Sequence, residues 1–475
     1  MTEVGHIPIC DPDGYYLRAK HNQLSDAASF RVTADLIPDQ DAIFSLLQFG
    51  AVIPPLSPWE GVVRLLPGYR CEDDGHKHPL HFTTCADIAH LTGPLTGLLA
   101  EKLDKILVRA LEGDKLPVVL FSGGVDSGLI AARLAHLGYR DTLLLNYSFS
   151  PVDPESVMAE EMAWKLGLRF ERYGCERLGC ESLRTPGKTY PIPFGDPSTV
   201  PTYALAKKVT ERLSGLPCVI FDGNGADDGG FGMTHKINQW QKLTKVPRWA
   251  LKMASLAYER SEIWNQVNAI ENRLKLLRRL HDMPLLSAIL AQNPLAGILY
   301  AKDGRKKVDG LLDEWAAGLV GDSPLRKVIV ANLMLTSANI FAQKAHPIYK
   351  KAGLQVVYPF MEHEMVDFSL TIAPTQDSPE KKALLKALLA QQVPREMVYR
   401  PKSGFVDTGA QVFYDAEFQE MLWAATEEKS VLSGILFKEP LRKIIERLRR
   451  RDRLPHQLLN CIWAITFTDR WYRTV

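Results

Sequence analysis

The run Ser122-Gly123-Gly124-Val125-Asp126-Ser127 has the residue types and spacing that phosphate chemistry needs. Two adjacent glycines let backbone N–H groups close on phosphate oxygens, and the serines add hydroxyl donors. A helix opening at this loop adds partial positive charge from its N-terminus. Asp126 offers a carboxylate for Mg²⁺, which is held through carboxylate and phosphate oxygens together. Ser122, Gly123, Gly124, Asp126 and Ser127 are therefore the candidate pyrophosphate-binding residues, with Asp126 also a metal ligand. The loop lacks the lysine of a G-x-x-x-x-G-K-[ST] phosphate loop, so it is not of the kinase type. The plainer reading, a strand–turn–helix with a capping serine, does not explain all five residues together.

A second candidate follows the apolar run Pro217–Phe221: Asp222-Gly-Asn-Gly-Ala-Asp-Asp-Gly-Gly-Phe-Gly232. Gly223 and Gly225 permit close backbone approach to a nucleotide. Asp227 is a candidate ligand for a second Mg²⁺ that bridges ATP phosphates together with Asp126. Surface Asp-Gly loops are common; the position one crossover from the first loop gives this one its weight. A third candidate is Lys402, in Val398-Tyr-Arg-Pro-Lys-Ser-Gly-Phe405. A point cation in a loop fixed by proline and glycine can stabilise a tetrahedral intermediate or a leaving phosphate, although most lysines in such loops are solvated.

The elements that must position these residues alternate. A helix is expected over roughly 94–112, strands near 116–121, 142–149, 169–173 and 217–221, and helices near 128–137, 155–166 and 202–214. Short apolar strands alternating with helices predict an α/β fold, a doubly wound and mostly parallel sheet. Ligands of such sheets sit at the carboxyl ends of the strands, where both glycine-rich loops fall. Residues from about 235 onward read as mostly helical, giving a large helical C-terminal part. Its basic stretches 271–281 and 441–452 read as solvated helix faces. Residues 1–90 are mixed: a short helix over 41–50 ends at Gly50, and Cys71–Pro79 reads as a linker or exposed turn. His76, His78 and His81 fit no common metal-site spacing.

Bulk properties exclude several classes. The chain has 475 residues, a net charge of +2, 46% apolar and 24% charged residues, as in an ordinary globular protein. No long-range field argues for nucleic acid. Seven cysteines without a C-x-x-C pair argue against a disulfide framework and for a reducing compartment, so a cytoplasmic location is expected. No signal peptide is evident, and no apolar stretch is read as long enough to span a bilayer.

Taken in order, Ser122–Ser127, Gly223–Asp228, Tyr358-Pro-Phe-Met-Glu-His-Glu364, Arg400-Pro-Lys-Ser-Gly404 and the terminal Trp463…Trp471 helix resemble the synthetase domain of the asparagine synthetase family. That family includes the β-lactam and carbapenam synthetases and has the HUP-like fold of ATP pyrophosphatases. The resemblance covers about 95–475. It implies that a substrate carboxylate attacks the α-phosphorus of MgATP, forming an acyl-adenylate and pyrophosphate, and that an amine then expels AMP. It assigns Ser122, Gly123, Gly124, Asp126 and Ser127 to pyrophosphate and Mg²⁺, Gly225 and Asp227 to the nucleotide and metal site, and Lys402 to the transition states. The expected division is 1–90, a truncated, non-catalytic remnant of a glutaminase-like domain, and 91–475, the synthetase domain.

Two departures shape the expected substrate. The glutamine-hydrolysing members place a nucleophilic cysteine directly after the initiator methionine, where this chain has Thr2; Cys10 is a poor substitute. Asparagine synthetases carry a glutamate a few residues before the Pro-Phe element, where this chain has Gln355, which cannot accept a proton from an amine. Both point to an amine brought by an amino-acid-like carboxylate substrate and to lactam closure without glutamine hydrolysis. β-Lactam-forming members use a Tyr/Glu pair as base; Tyr349, Glu362 and Glu364 are local candidates. An ammonia-using ligase and a lasso-type peptide cyclase are alternatives within the class, and a tRNA-modifying pyrophosphatase lies outside it. Neither nucleic acid nor membrane is an expected partner; a homodimer is compatible with the sequence.

Overall fold

The structure is a computed structural model that describes residues 8–18, 23–71, 77–79, 94–148, 150, 152–174, 178–233, 246–247, 249–250, 253, 285–292, 299–301, 305–373, 380–400 and 410–475. The N-terminal part contains β1 (Tyr15–Arg18), β2 (Gln23–Asp26) and β3 (Val62–Arg64), an antiparallel sheet in the order β2-β1-β3. Between them α1 (Gln40–Phe49) begins at Asp39, whose carboxylate accepts the Ala42 N–H at 2.8 Å, and ends at left-handed Gly50, the terminal glycine that the sequence predicts. The stretch read as a linker instead contributes a small hairpin, β4 (Tyr69–Cys71) with β5 (Lys77–Pro79).

The central sheet is built from β6 (Leu116–Leu120), β7 (Leu143–Ser148), β8 (Arg169–Gly174), β9 (Cys218–Phe221) and β10 (Gln355–Val357). Its order is β10-β9-β6-β7-β8 and every pairing is parallel. The inner strands β6, β7 and β9 are largely apolar because both their faces are covered, whereas the edge strand β8 carries Arg169, Glu171 and Arg172. On one face Val119, Phe121, Leu144, Val219 and Phe221 pack with α2 (Leu95–Ala110), α3 (Val125–His136) and α4 (Pro154–Leu166). On the other, Val118, Leu143, Leu145, Cys218 and Ile220 meet Ala206, Val209 and Leu213. Each buried aliphatic side chain contributes about 1.5–3 kcal/mol. After β8 the chain makes single turns, α5 (Glu181–Arg184) and α6 (Pro186–Thr189), before α7 (Thr199–Leu213) carries those three residues onto the sheet.

Two differences from the sequence expectation matter for the site. The helix expected from residue 128 starts at Val125, because Gly124 is extended (ψ 174°) and caps it; Asp126 and Ser127 thus lie in the first helical turn. The strand β10 was not anticipated, since three residues inside a helical half leave no periodic signal.

The N-terminal part packs into the rest. Ile43, Phe44 and Leu47 share a core with Trp463, Phe467 and Trp471 of the closing helix His456–Thr474. Tyr472 donates its hydroxyl to the Pro58 carbonyl at 2.9 Å. The expectation that no apolar stretch could span a bilayer is corrected by Pro324–Lys344, which is long and apolar enough by length and composition. Of that window 83% is buried inside the protein, and it carries the buried polar residues Asn332, Thr336, Ser337 and Asn339, as a core helix can. Part of it, Leu333–Phe341, is π-helical.

Candidate active site

The first loop leaves β6 at Leu120 and is shaped from three sides. Ser127 Oγ accepts the Ser122 N–H at 3.2 Å and lies 3.3 Å from Ser122 Oγ, which itself accepts the Gly124 N–H at 3.3 Å. Gly123 has φ +67°, and a Cβ there would stand 2.7 Å from the Ala159 Cα of α4. Only glycine fits both the conformation and the space. From β7, Asn146 donates to the Phe121 carbonyl at 2.7 Å and accepts from Ser156 at 2.5 Å, fixing the loop's entry.

The second loop leaves β9 and lies against the first. A Cβ on Gly223 would meet Asp126 Cβ at 2.9 Å and the Ser127 nitrogen at 3.2 Å. Gly225, at φ +97°, lets the turn pass Met361 and the Phe360 backbone. The two carboxylates of the Asp227-Asp228 pair face different ways. Asp228 is tied into the interior, accepting Asn332 Nδ2 at 3.0 Å and Ser337 Oγ at 2.8 Å. Asp227 faces the first loop.

Between the loops stands Lys382. Its ammonium lies 2.6 Å from Asp126 Oδ2 and 2.8 Å from Asp227 Oδ2, and Lys381 also pairs with Asp227. Lys382 is 8% exposed and adopts φ +60°, a left-handed conformation that a side chain rarely takes. Burial disfavours its charge, but Asp126 and Asp227 outweigh that and raise its pKa. Burial likewise opposes ionisation of Asp227, and Lys382 and Lys381 outweigh it, holding the carboxyl below its usual range. Asp222, at the end of β9, has the opposite fate: burial, with the charge of Asp126 adding to it, pushes it up to about 6 against the Asn224 N–H and Lys344. Two carboxylates converging on one cation, beside a loop of backbone and hydroxyl donors, form a site for a polyphosphate with its counter-cation.

Residues 98–473 match the family model for asparagine synthase. The chain belongs to the asparagine synthase family. No curated protein matches it. Asparagine synthases are ATP-dependent ligases that form amides.

The other expected site residues of this asparagine synthase family member are distributed unevenly. Lys402 lies outside the described residues. Arg400, two positions earlier, reaches the first loop: it donates to the Gly123 carbonyl at 3.3 Å and pairs with Glu155 of α4 at 3.0 Å. Tyr349 belongs to the core on the α7 face of the sheet, and burial, with Asp222 adding to it, drives its phenol pKa far up. Glu362 and Glu364 both pair with Arg109 of α2, at 3.2 and 3.0 Å. Burial, opposed by Arg109 and helped by Glu364, raises the Glu362 pKa. Gln355 lies at the amino end of the sheet, where it accepts from Lys115 at 3.0 Å. The loops are at the carboxyl end, so Gln355 does not mark the place of an amine base and its identity carries no argument about the amine. Cys10 is buried, and its thiol is pushed up by burial and by Asp228, which leaves no reactive thiolate.

Sequence reasoning missed Lys381 and Lys382, since nothing near them in the chain marks the aspartates they meet. It also missed the split of roles between Asp227 and Asp228, since adjacent identical residues differ only in what surrounds them.

Proposed function

We propose that this protein forms an amide from a small amino-acid-like carboxylate through an acyl-adenylate, releasing AMP and pyrophosphate, without hydrolysing glutamine. The observation that carries the reading is the convergence of Asp126 and Asp227 on one point beside the Ser122–Gly124 loop. In the first step a substrate carboxylate oxygen bonds to the α-phosphorus of ATP, and the bond to the pyrophosphate oxygen breaks. The N–H groups and hydroxyls of the first loop, with Lys382 and Arg400 behind it, hold the departing pyrophosphate. In the second step an amine bonds to the acyl carbon, loses a proton and expels AMP. Mg²⁺ would be held by Asp126 and Asp227 and would neutralise charge growing on the phosphate oxygens. These two carboxylates fit such an ion, since Mg²⁺ takes one or two protein carboxylates and completes its shell with phosphate and water.

Inert, buried Cys10 supports an amine that does not come from glutamine through that residue. The finer proposal is that the substrate carries its own amine and closes to a lactam. The deciding experiment follows AMP and pyrophosphate release from ATP with a panel of amino-acid and β-amino-acid carboxylates, with and without ammonia or glutamine. Release with the acid alone, and a cyclic product, supports lactam closure. A need for ammonia replaces closure by intermolecular amidation, and glutamate released from glutamine overturns the nitrogen source. Release that requires only RNA would sink the adenylated-carboxylate reading.

A further inference from the structure

Arg64 ends β3 and pairs in register with Tyr16 of β1. Its side chain crosses from the N-terminal sheet into the synthetase part and is 1% exposed. One guanidinium NH2 group donates to the Val52 carbonyl at 3.4 Å, the other donates to Asn339 Oδ1, and Nε finds no acceptor among the described residues. Burial lowers the pKa of Arg64, opposed by Tyr16 and Asp11. A buried cation is costly unless its partners compensate it.

Its partner Asn339 lies in the π-helical stretch Leu333–Phe341 and donates its own amide to the Met334 carbonyl at 2.6 Å. π-Helical turns are rare and concentrate at functional sites. From the same turn Ser337 donates to Asp228 Oδ2 at 2.8 Å. Thr336 donates to Asn332 Oδ1 at 2.7 Å, and Asn332 donates to Asp228 Oδ1 at 3.0 Å. Asp228 is joined covalently to Asp227. A short path of hydrogen bonds and backbone thus runs from the N-terminal sheet to the carboxylate that faces the first loop.

We propose that Arg64 is a positioning residue for the nucleotide site: by holding Asn339 it sets the π-helical turn whose Ser337 and Asn332 fix Asp228, and through it the direction of Asp227. This gives the N-terminal part a function in the synthetase reaction. The inference rests on Asp227 being a nucleotide-site residue, as in the proposed function.

The test is the MgATP affinity of the full-length chain by isothermal titration calorimetry, with melting temperature recorded in parallel. It compares the wild type with Arg64→Met, Arg64→Lys, Ser337→Ala and the Arg64→Met/Ser337→Ala double variant. Arg64→Met and Ser337→Ala should each weaken MgATP about tenfold, the effect of about 1.4 kcal/mol, and Arg64→Lys should recover part of the loss. The double variant should bind no more weakly than the worse single, because both break one path. Losses that multiply, or a folded Arg64→Met protein with wild-type affinity, would overturn the proposal. Should Arg64→Met not fold, Ser337→Ala removes one hydroxyl and decides alone: unchanged affinity overturns it. A wild type that binds no MgATP would refute the nucleotide site itself and this inference with it, a result distinct from unchanged variants.

Discussion

The Lys382 ammonium sits 2.6 Å from Asp126 and 2.8 Å from Asp227, at the point where carboxylates from two different strand ends converge. The sheet brings those carboxylates together, and without a cation between them they repel. Replacing Lys382 by Met leaves Asp126 without this partner and Asp227 with Lys381 alone, so most of that repulsion is uncompensated. Breaking a buried pair costs about 3–5 kcal/mol, and the partial exposure of Asp227 reduces the expectation to about 2 kcal/mol. Urea unfolding in a chelator should show the loss, and added Mg²⁺ should restore much of it. A loss that Mg²⁺ leaves untouched argues that no divalent cation binds between the two aspartates.

Gly123→Ala combines a left-handed backbone with a Cβ 2.7 Å from the Ala159 backbone. Strain and overpacking together should cost about 3 kcal/mol and abolish ATP binding. Gly113 provides the control: its φ is +87° but a Cβ there meets open space, so Gly113→Ala should cost about 1 kcal/mol and leave binding unchanged. Equal effects from the two substitutions would remove the packing argument.

Asp222 gives the folded protein a pH signature. Its carboxyl titrates near 6, above an unfolded value near 4, so the folded state holds a proton that the unfolded state releases first. Its contribution is therefore present below about pH 4 and is lost as pH rises to about 6. Asp222→Asn, which stays neutral, should stabilise the protein by about 2 kcal/mol above pH 6 and not below pH 4. Denaturation midpoints measured across that range check the sign; a uniform change at all pH values contradicts it.

Asp13 behaves in the opposite way. Burial disfavours its charge, but His346 at 3.2 Å and Lys350 at 2.7 Å outweigh that and lower the carboxyl to about 2. The stabilisation is present above the unfolded value near 4 and disappears as pH falls to about 2. Because Asp13 is a third exposed, about 1 kcal/mol is expected. Asp13→Asn should flatten the acid limb of the stability curve in that window, as followed by circular dichroism. An unchanged acid limb would show that these contacts do not tie the N-terminal segment to the helix His346–Lys351.

Lys402 follows Arg400 by two residues, and Arg400 touches the Gly123 carbonyl. Lys402→Ala should keep MgATP binding within about twofold while slowing product formation by at least about a hundredfold, the scale of one lost transition-state donor. Single-turnover measurements separate the two, and near-normal turnover excludes Lys402 from the chemistry.

Much of this arrangement was legible in the sequence because its signals are local. The glycines and carboxylates of the two loops sit directly after apolar runs, and alternating strands and helices place such loops at the same end of a sheet. What was not legible depends on long-range contacts. The lysines that meet Asp126 and Asp227 come from a segment far along the chain, and nothing nearby in sequence distinguishes Lys382 from a solvated cation. The neutral or ion-paired surroundings of Tyr349, Glu362 and Gln355 are likewise set by partners such as Arg109 and Lys115, which pattern reading cannot assign. The three residues of β10 escaped because a strand so short has no periodicity to read.

The contact of Gly123 with Ala159 also has a kinetic side. A loop wedged from behind by a helix acquires its shape when the chain folds, so on the proposed function an arriving nucleotide would meet a finished receptor. Capture would then be governed by diffusion and by how quickly the Lys382 ammonium yields its two carboxylates to an incoming metal–nucleotide pair. The rate of encounter should therefore fall as ionic strength rises, because salt screens the attraction between the lysines of the site and an anionic nucleotide.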